Sequence, residues 1–204
     1  MPRTIGRENI RKRLAPLEGT PGRTVYANGE VLIESEAEHL LVRPPFGLRH
    51  RGEYDHVRVS PLLEEIAQDH LVGALLVRLG GYAVGVFDGE TLIASKVGSR
   101  FVKNRNRKGG SSSNRFRRRR EEQARALAKE AAEVASSLFA PWQDRIEFTA
   151  LGGDRAAVEA VLASRAELTW LRKRAVERFF PVVDPRQRVL ERLPYDLYAV
   201  EVSS

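Results

Sequence analysis

The sequence contains no cysteine and only four histidines among its 204 residues. Without cysteine the chain can form neither disulfides nor thiolate metal sites, which is typical of proteins in a reducing cytoplasm. The histidines (His39, His50, His56 and His70) never approach a metal-ligand spacing such as HxxxH. We therefore expect a cytoplasmic protein with no metal and no cofactor.

Long apolar runs are also missing. No stretch approaches the roughly 18 apolar residues that a membrane span needs, and the segment MPRTIGRENIRKRL lacks the apolar core of a signal peptide. Internal repeats are not visible either. The hydrophobic content of 42%, with two Trp and eight Phe, still favours a folded globular protein. We expect no membrane partner.

Acidic residues are missing from one part of the chain. Ten basic residues and no acidic one lie between Ser99 and Arg120. The net charge of the chain is +7, so subtracting these ten charges leaves −3 on all the other residues. A nearly neutral protein with one strongly cationic segment is expected to bind a polyanion. A solvated charged surface is the alternative interpretation of such a run.

The first 70 residues give weak signals. ENIRKRLAPL is compatible with a short helix, and RTVYANGEVLIES has an Asn28-Gly29 turn between two β-prone runs, which predicts a hairpin. YDHVRVS alternates as a strand does, and Pro61 in the first position favours a short helix over PLLEEIAQDH.

From Leu71 onward the patterns are clearer. Three β-rich runs are separated by Gly80-Gly81 and Asp88-Gly89, which predicts an antiparallel meander. A long helix should follow the basic segment, with Ser113 or Asn114 as its N-cap and Pro141 after its end. Its apolar positions recur at steps of three and four residues: Phe116, Ala124, Leu127, Ala131, Val134, Ala135 and Leu138.

A strand over RIEFTALGG, a helix from about Asp154 to Ala163 and a last strand over DLYAVEV, which we expect to join the same sheet, complete the prediction. RAELTWLRKRAVERFF stays ambiguous. The fold class is therefore α/β (α+β): one domain over 1–204 with a mixed, largely antiparallel sheet flanked by helices. Residues 1–70 form an N-terminal extension of uncertain structure, and 71–202 form the core.

The basic segment surrounds two glycines and three serines, in NRNRKGGSSSNRFRRRREEQ. Gly109 and Gly110 free the backbone to enter a tight space with its N–H groups exposed. Because a helix follows, these N–H groups also lie near the positive end of its dipole, which favours an anion or oxyanion. The flanking arginines can neutralise several phosphates. The basic loop, at about 99–113, therefore has the chemistry of a probe that enters a nucleic-acid cavity.

RKGGSSSNRFRRRREEQ resembles the Gly-Gly-Gln loop of archaeal and eukaryotic class I peptide-chain release factors. There a basic run, Gly-Gly-Gln, three more residues and Arg-Phe open a long helix, and Gly109-Gly110 and Arg115-Phe116 have the same separation here. The sequence resembles still more the Vms-like release factors, peptidyl-tRNA hydrolases of ribosome quality control that include bacterial members. The similarity extends from about Val72 to Val202.

This resemblance implies a core like the catalytic domain of release factors. It also implies insertion of the loop into the peptidyl-transferase centre of the large ribosomal subunit, where the ester of peptidyl-tRNA is hydrolysed. The expected partners are ribosomal RNA and peptidyl-tRNA, and no DNA. The resemblance places catalysis on Gly109, Gly110, Ser111 and Ser112. The residues expected to contact RNA share a positive charge: Arg100, Lys103, Arg105, Arg107, Lys108, Arg115, Arg119 and Arg120. Arg117 and Arg118 are weaker candidates, because Glu121 and Glu122 lie four residues further on.

The loop departs from the family pattern because it contains no glutamine. Ser111 or Ser112 takes the place of that residue, depending on whether Gly-Gly-Gln or the Gly-Ser-Gln variant is the template. Gln123 lies on the helix, roughly 18 Å beyond Ser111 at 1.5 Å per residue, and cannot substitute. Two functions therefore stay open: a peptidyl-tRNA hydrolase, or a ribosome- or RNA-binding module without chemistry. A serine hydrolase is disfavoured, because no GxSxG motif and no nearby histidine are present.

Overall fold

The structure is a computed structural model that describes residues 3–99 and 112–204, the side chains of 112–116 excepted. The elements in chain order are β1 (Arg3–Ile5), α1 (Arg7–Leu14), β2 (Pro21–Ala27), β3 (Glu30–Ser35), β4 (His39–Arg43), β5 (Gly52–His56), α2 (Ser60–Ala67), β6 (Leu71–Arg78), β7 (Gly81–Asp88), β8 (Thr91–Ser99), α3 (Ser112–Phe139), β9 (Phe148–Gly153), α4 (Arg155–Ser164), α5 (Thr169–Lys173), α6 (Gln187–Leu197) and β10 (Val200–Ser203). Short 3₁₀ turns lie at Ala15–Leu17 and Ala166–Leu168.

The chain divides into two compact units, which we call unit 1 (Met1–Asp69 and Leu193–Ser204) and unit 2 (His70–Arg192). The α/β class with largely antiparallel pairing is confirmed in both. The assignment of the whole chain to one domain stays a prediction. None of the described helices has both the length and the apolar character that crossing a bilayer would take.

Unit 1 contains an antiparallel sheet in the order β1-β10-β4-β3-β2-β5. The predicted hairpin is confirmed, because Asn28 and Gly29 take the positive φ values of 53° and 78° that a tight two-residue turn requires. The predicted helices of this region are also confirmed as α1 and α2, whose apolar side chains pack on one face of the sheet. Glu18 accepts hydrogen bonds from the N–H groups of Val59 and Ser60, over 2.6 and 2.8 Å, where α2 begins.

The expected position of the last strand was wrong. Strand β10 pairs with β1 and β4 in unit 1, and not with the meander. The first part of DLYAVEV is helical, because α6 continues to Leu197. Alternation alone shows that a segment is a strand but carries no information about its partner, which here lies almost the whole chain length away.

Unit 2 contains the predicted meander. Its sheet has the order β8-β7-β6-β9, with antiparallel pairs along the meander and β9 parallel to β6. Helices α3 and α4 pack on one face of this sheet. Leu127, Ala131, Ala135 and Phe139 of α3 are buried against a cluster that includes Val84. Helix α6 contacts the opposite face of the sheet. The side chain of Leu190 lies so close to Gly85 that a Cβ at this position would be only 3.2 Å from it.

The ambiguous segment after α4 is only partly regular. It contains α5 and isolated bridges that join Thr149 to Ala175 and Gly152 to Phe180. Trp142 and Trp170 are partly buried against the core of unit 2.

The packing of α3 predicts that two leucine-to-alanine substitutions differ in their effect on the free energy of unfolding. Leu127 is 2% exposed and Leu79 is 41% exposed. Leu127→Ala should lower the free energy of unfolding by about 2–5 kcal/mol, because it leaves a cavity in the core, and Leu79→Ala by less than about 1 kcal/mol. Urea unfolding followed by circular dichroism measures both values. Equal losses for the two variants would contradict the placement of α3.

Candidate nucleic-acid interface

The basic loop connects β8, which ends at Ser99, to α3, which begins at Ser112. Residues 100–111 lie outside the described part of the chain. They include most of the predicted site residues: Arg100, Lys103, Arg105, Arg107, Lys108, Gly109, Gly110 and Ser111. Their assignment as catalytic or RNA-binding residues stays a prediction.

The remaining predicted site residues lie on the first turns of α3. Ser112 is the first residue of the helix and Arg115 belongs to its first turn. Ser113 and Asn114 lie inside α3 rather than before it, so the expected N-cap position was wrong and the helix begins earlier. Phe116, the first of the predicted apolar positions of this helix, has a side chain outside the described set.

Arginine side chains cover the next turn of α3. Arg117, Arg118 and Arg119 are exposed and Arg120 is partly buried. Arg117 lies 3.9 Å from Glu121, which confirms one of the two expected pairs. Within the described chain, Arg118 and Glu122 form no such pair. Since exposed pairs at this distance contribute little, the turn presents positive charge at the surface.

A contact between β8, β7 and α3 fixes the first end of the loop. The ring of Tyr82 on β7 lies over Gly98 on β8, the second-last residue before the loop. A Cβ at Gly98 would come closer to this ring than real Cβ atoms come to any side chain. The hydroxyl of Tyr82 donates to Glu130 Oε1 on α3 over 3.1 Å. Gly98, Tyr82 and Glu130 therefore tie the end of β8 to the helix that follows the loop, and we call them the clamp.

The distal part of α3 is held by a second polar contact. The hydroxyl of Ser136 donates to Glu167 Oε1 over 2.7 Å. This hydrogen bond, together with Arg165, lowers the pKa of the Glu167 carboxyl below its ordinary value. From Leu127 onward the helix is thus anchored by its buried face, by the clamp and by this contact.

The clamp was not found by sequence analysis, although one signal was present. A glycine inside a strand often marks close approach of another group, and Gly98 is such a residue. The group that approaches Gly98 is the ring of Tyr82 on the neighbouring strand β7, and a local sequence pattern does not identify such a partner. The described residues hold no group of three or more side chains placed to bind a metal ion.

The clamp predicts a coupling between Gly98 and Tyr82. Gly98→Ala should destabilise the protein by about 1–3 kcal/mol, because the new methyl group forces a buried ring (3% exposed) to move. In a Tyr82→Ala background the same substitution should cost almost nothing, since the ring is gone. A double-mutant cycle by urea unfolding measures this coupling. An identical cost of Gly98→Ala in both backgrounds would show that the ring is not what requires glycine.

Comparison with known proteins agrees with the resemblance seen in the loop. The family described as Actinobacteria/chloroflexi VLRF1 release factor matches residues 70–203. No curated protein sequence matches the chain.

Two solved structures of archaeal proteins are also similar. The crystal structure of the archaeal translation termination factor aRF1 has 21% identity and a TM-score of 0.45, with 94% of this chain and 54% of that chain covered. A structure described as an archaeal protein has 19% identity and a TM-score of 0.44, with 94% and 55% covered. The chain thus spans about half the length of both. The family match, in contrast, covers more than half of this chain, and the chain belongs to the Actinobacteria/chloroflexi VLRF1 release factor family.

Proposed function

We propose that this protein is a peptidyl-tRNA hydrolase that inserts its basic loop into the peptidyl-transferase centre and frees nascent chains from stalled ribosomes. Membership of a release factor family supports a release-factor-like role at the ribosome. The proposed partners are the RNA of the large subunit and peptidyl-tRNA.

The observation that carries this proposal is the scaffold at both ends of the loop. The clamp holds the end of β8, and the loop runs into α3, whose buried face packs on the sheet of unit 2. A segment the length of 100–111 can extend at most about 20 Å from two such ends, at 3.3–3.6 Å per residue. That reach suits a probe that enters a cavity while the body of unit 2 stays outside.

The proposed chemistry is transfer of an acyl group to water. Water adds to the ester carbonyl, and the bond between the carbonyl carbon and the ribose oxygen breaks. The ribose oxygen leaves as a hydroxyl with a proton from the water, and the peptide leaves with a free carboxyl group. Exposed N–H groups after Gly109 and Gly110 stabilise the tetrahedral oxyanion by hydrogen bonding, and this donation costs no reorganisation if the loop is preorganised.

The hydroxyl group of Ser111 or Ser112 is proposed to help position the water, with the terminal ribose of the tRNA. The basic residues of the loop and of α3 neutralise RNA phosphates. They are Arg100, Lys103, Arg105, Arg107, Lys108, Arg115, Arg119 and Arg120.

A second candidate function is binding without chemistry. The segment GGSSS holds no glutamine, the residue that the resembled families place at the reacting ester. In this alternative the loop occupies the peptidyl-transferase centre or another structured RNA, and the ester stays intact. Where the loop occupies the peptidyl-transferase centre, both candidates bind the large subunit, and the fate of the ester separates them.

Peptide release tests the proposal directly. Large ribosomal subunits that carry a nascent chain on tRNA are incubated with the protein, and the peptidyl-tRNA band is followed by gel electrophoresis. The wild-type protein should remove the band, and Gly110→Ala should slow its loss at least about 100-fold by constraining the backbone that presents the N–H groups.

A matched control is Gly6→Ala, whose new Cβ would make an ordinary 3.5 Å contact with Tyr195. This variant should release peptide at the wild-type rate. Equal activity of Gly110→Ala and wild type would contradict the catalytic role of the loop. A bound wild-type protein that leaves the ester intact would favour the binding module.

Phosphate contacts predict a salt dependence. Arg119→Ala should weaken large-subunit binding and make the slope of log K against log salt shallower by about 0.7–0.9, the value for one phosphate contact. Arg188 on α6 is also exposed, and α6 contacts the other face of the sheet. Arg188→Ala should therefore leave the slope unchanged. A filter-binding titration at several salt concentrations measures both variants, and equal slopes for them would remove Arg119 from the interface.

A further inference from the structure

A groove of about 660 Å³ lies between α3 and α4 in unit 2. Its floor and walls are largely aliphatic: Ala124 and Leu127 belong to α3, Ala157 and Ala160 to α4, and Leu79 follows β6. Leu79 is one of the large apolar side chains that stay exposed in the described structure, at 41%. The volume lies within the range of about 300–1,000 Å³ that is typical of ligand pockets.

Small residues set the shape of this groove. On α3, Ala124 and Ala128 are four residues apart, and Ala156 and Ala160 have the same spacing on α4. Residues at this spacing lie on one face of a helix, so each wall presents a row of methyl groups. A third helix can approach such walls closely, since helix axes pack 8–10 Å apart depending on the side chains between them.

The rim of the groove is positively charged. Arg117, Arg120 and Arg125 line it, together with two carboxylates. Glu121 lies 3.9 Å from both Arg117 and Arg125. The carboxylate of Asp154 accepts a hydrogen bond from Ala157 N over 2.9 Å and caps α4. The three guanidinium groups and the two carboxylates of the described lining leave an excess of one positive charge, and Glu121 is shared between Arg117 and Arg125.

The aliphatic lining distinguishes between two kinds of negatively charged partner, RNA and an acidic protein helix. RNA bases are bound by stacking on aromatic or guanidinium planes and by hydrogen bonds to their edges. None of the described side chains that line the groove is aromatic, and two of its three guanidinium groups, those of Arg117 and Arg125, lie beside Glu121. An amphipathic helix, in contrast, buries apolar side chains at steps of three and four residues in a groove of this kind.

We infer that this groove, which we call the α3–α4 groove, docks an acidic amphipathic helix of a protein partner. The apolar side chains of that helix fill the space above the alanine rows, and its carboxylates pair with Arg117, Arg120 and Arg125. The groove lies beside the first turns of α3, directly after the basic loop. A docked helix would therefore bring the partner close to the part of the protein that is proposed to contact RNA. The inference does not depend on hydrolysis.

Fluorescence anisotropy with the full chain tests this inference. The probe is a labelled synthetic helix of about 14 residues, or about four turns, with Leu at steps of three and four and Glu elsewhere. Two further probes are the same peptide with Lys in place of Glu, and a single-stranded oligouridine. The acidic peptide should bind, and the lysine peptide should not.

A pair of variants on α4 locates the site. Ala160 lines the groove and Ala163 does not, and both are exposed. Ala160→Glu should weaken binding of the acidic peptide at least about tenfold by like-charge repulsion, and Ala163→Glu should change it less than about twofold. Circular dichroism should show the same unfolding transition for both variants.

Three results would overturn the inference. One is no binding of the acidic peptide, and another is an equal effect of the two substitutions. The third is that Ala160→Glu weakens oligouridine binding while the acidic peptide does not bind, which would assign the groove to RNA. Release activity on loaded large subunits should be the same for Ala160→Glu and wild type. The proposed hydrolysis and the proposed docking can therefore fail separately.

Discussion

The packing of α3 against the meander sheet is the contact on which the site depends. The cationic segment that contains the loop cannot stabilise itself, because like charges within a Debye length of about 8–10 Å repel one another. Burial of Leu127, Ala131, Ala135 and Phe139 supplies the opposing free energy away from the loop, in a core that needs no charge. The clamp then connects this core to the end of β8. The ring of Tyr82 packs on Gly98, next to Ser99, and the hydroxyl of Tyr82 donates a hydrogen bond to Glu130 on α3. A segment proposed to bind RNA is in this way joined to a packed scaffold, which is a common arrangement for loops that carry function.

Two surfaces of α3 have different partners in this account. Arg119 is exposed on the turn that follows the loop, where it is proposed to contact phosphates. Arg120 and Arg125 line the α3–α4 groove, where aliphatic walls favour a protein helix, and Arg120 is also one of the residues proposed to neutralise RNA phosphates. One block of arginines can therefore serve both RNA and protein, because the surfaces beside the arginines differ. Family membership supports the ribosome as the place where both act, and the glutamine missing from GGSSS makes the backbone of the loop central to the proposed chemistry.

Much of unit 2 could be predicted from the sequence, because its signals are local. Turn pairs such as Gly80-Gly81 gave the meander, and apolar steps of three and four gave α3. The loop motif gave the family, which the match over residues 70–203 confirms. Unit 1 was harder, since β10 pairs with β1 and β4 from the other end of the chain and no local pattern specifies a distant partner. The clamp and the groove were missed for a similar reason: each is made by residues that meet only after the sheet and helices have packed.

Direct observation of the loop on its target tests the central claim. Cryo-electron microscopy of the protein bound to large subunits that carry peptidyl-tRNA would locate residues 109–112 relative to the ester. The account predicts density for these residues inside the peptidyl-transferase centre, with backbone N–H groups within about 2.7–3.1 Å of the position of the developing oxyanion. Density for the loop on another part of the subunit, with the peptidyl-transferase centre empty of this chain, would contradict it.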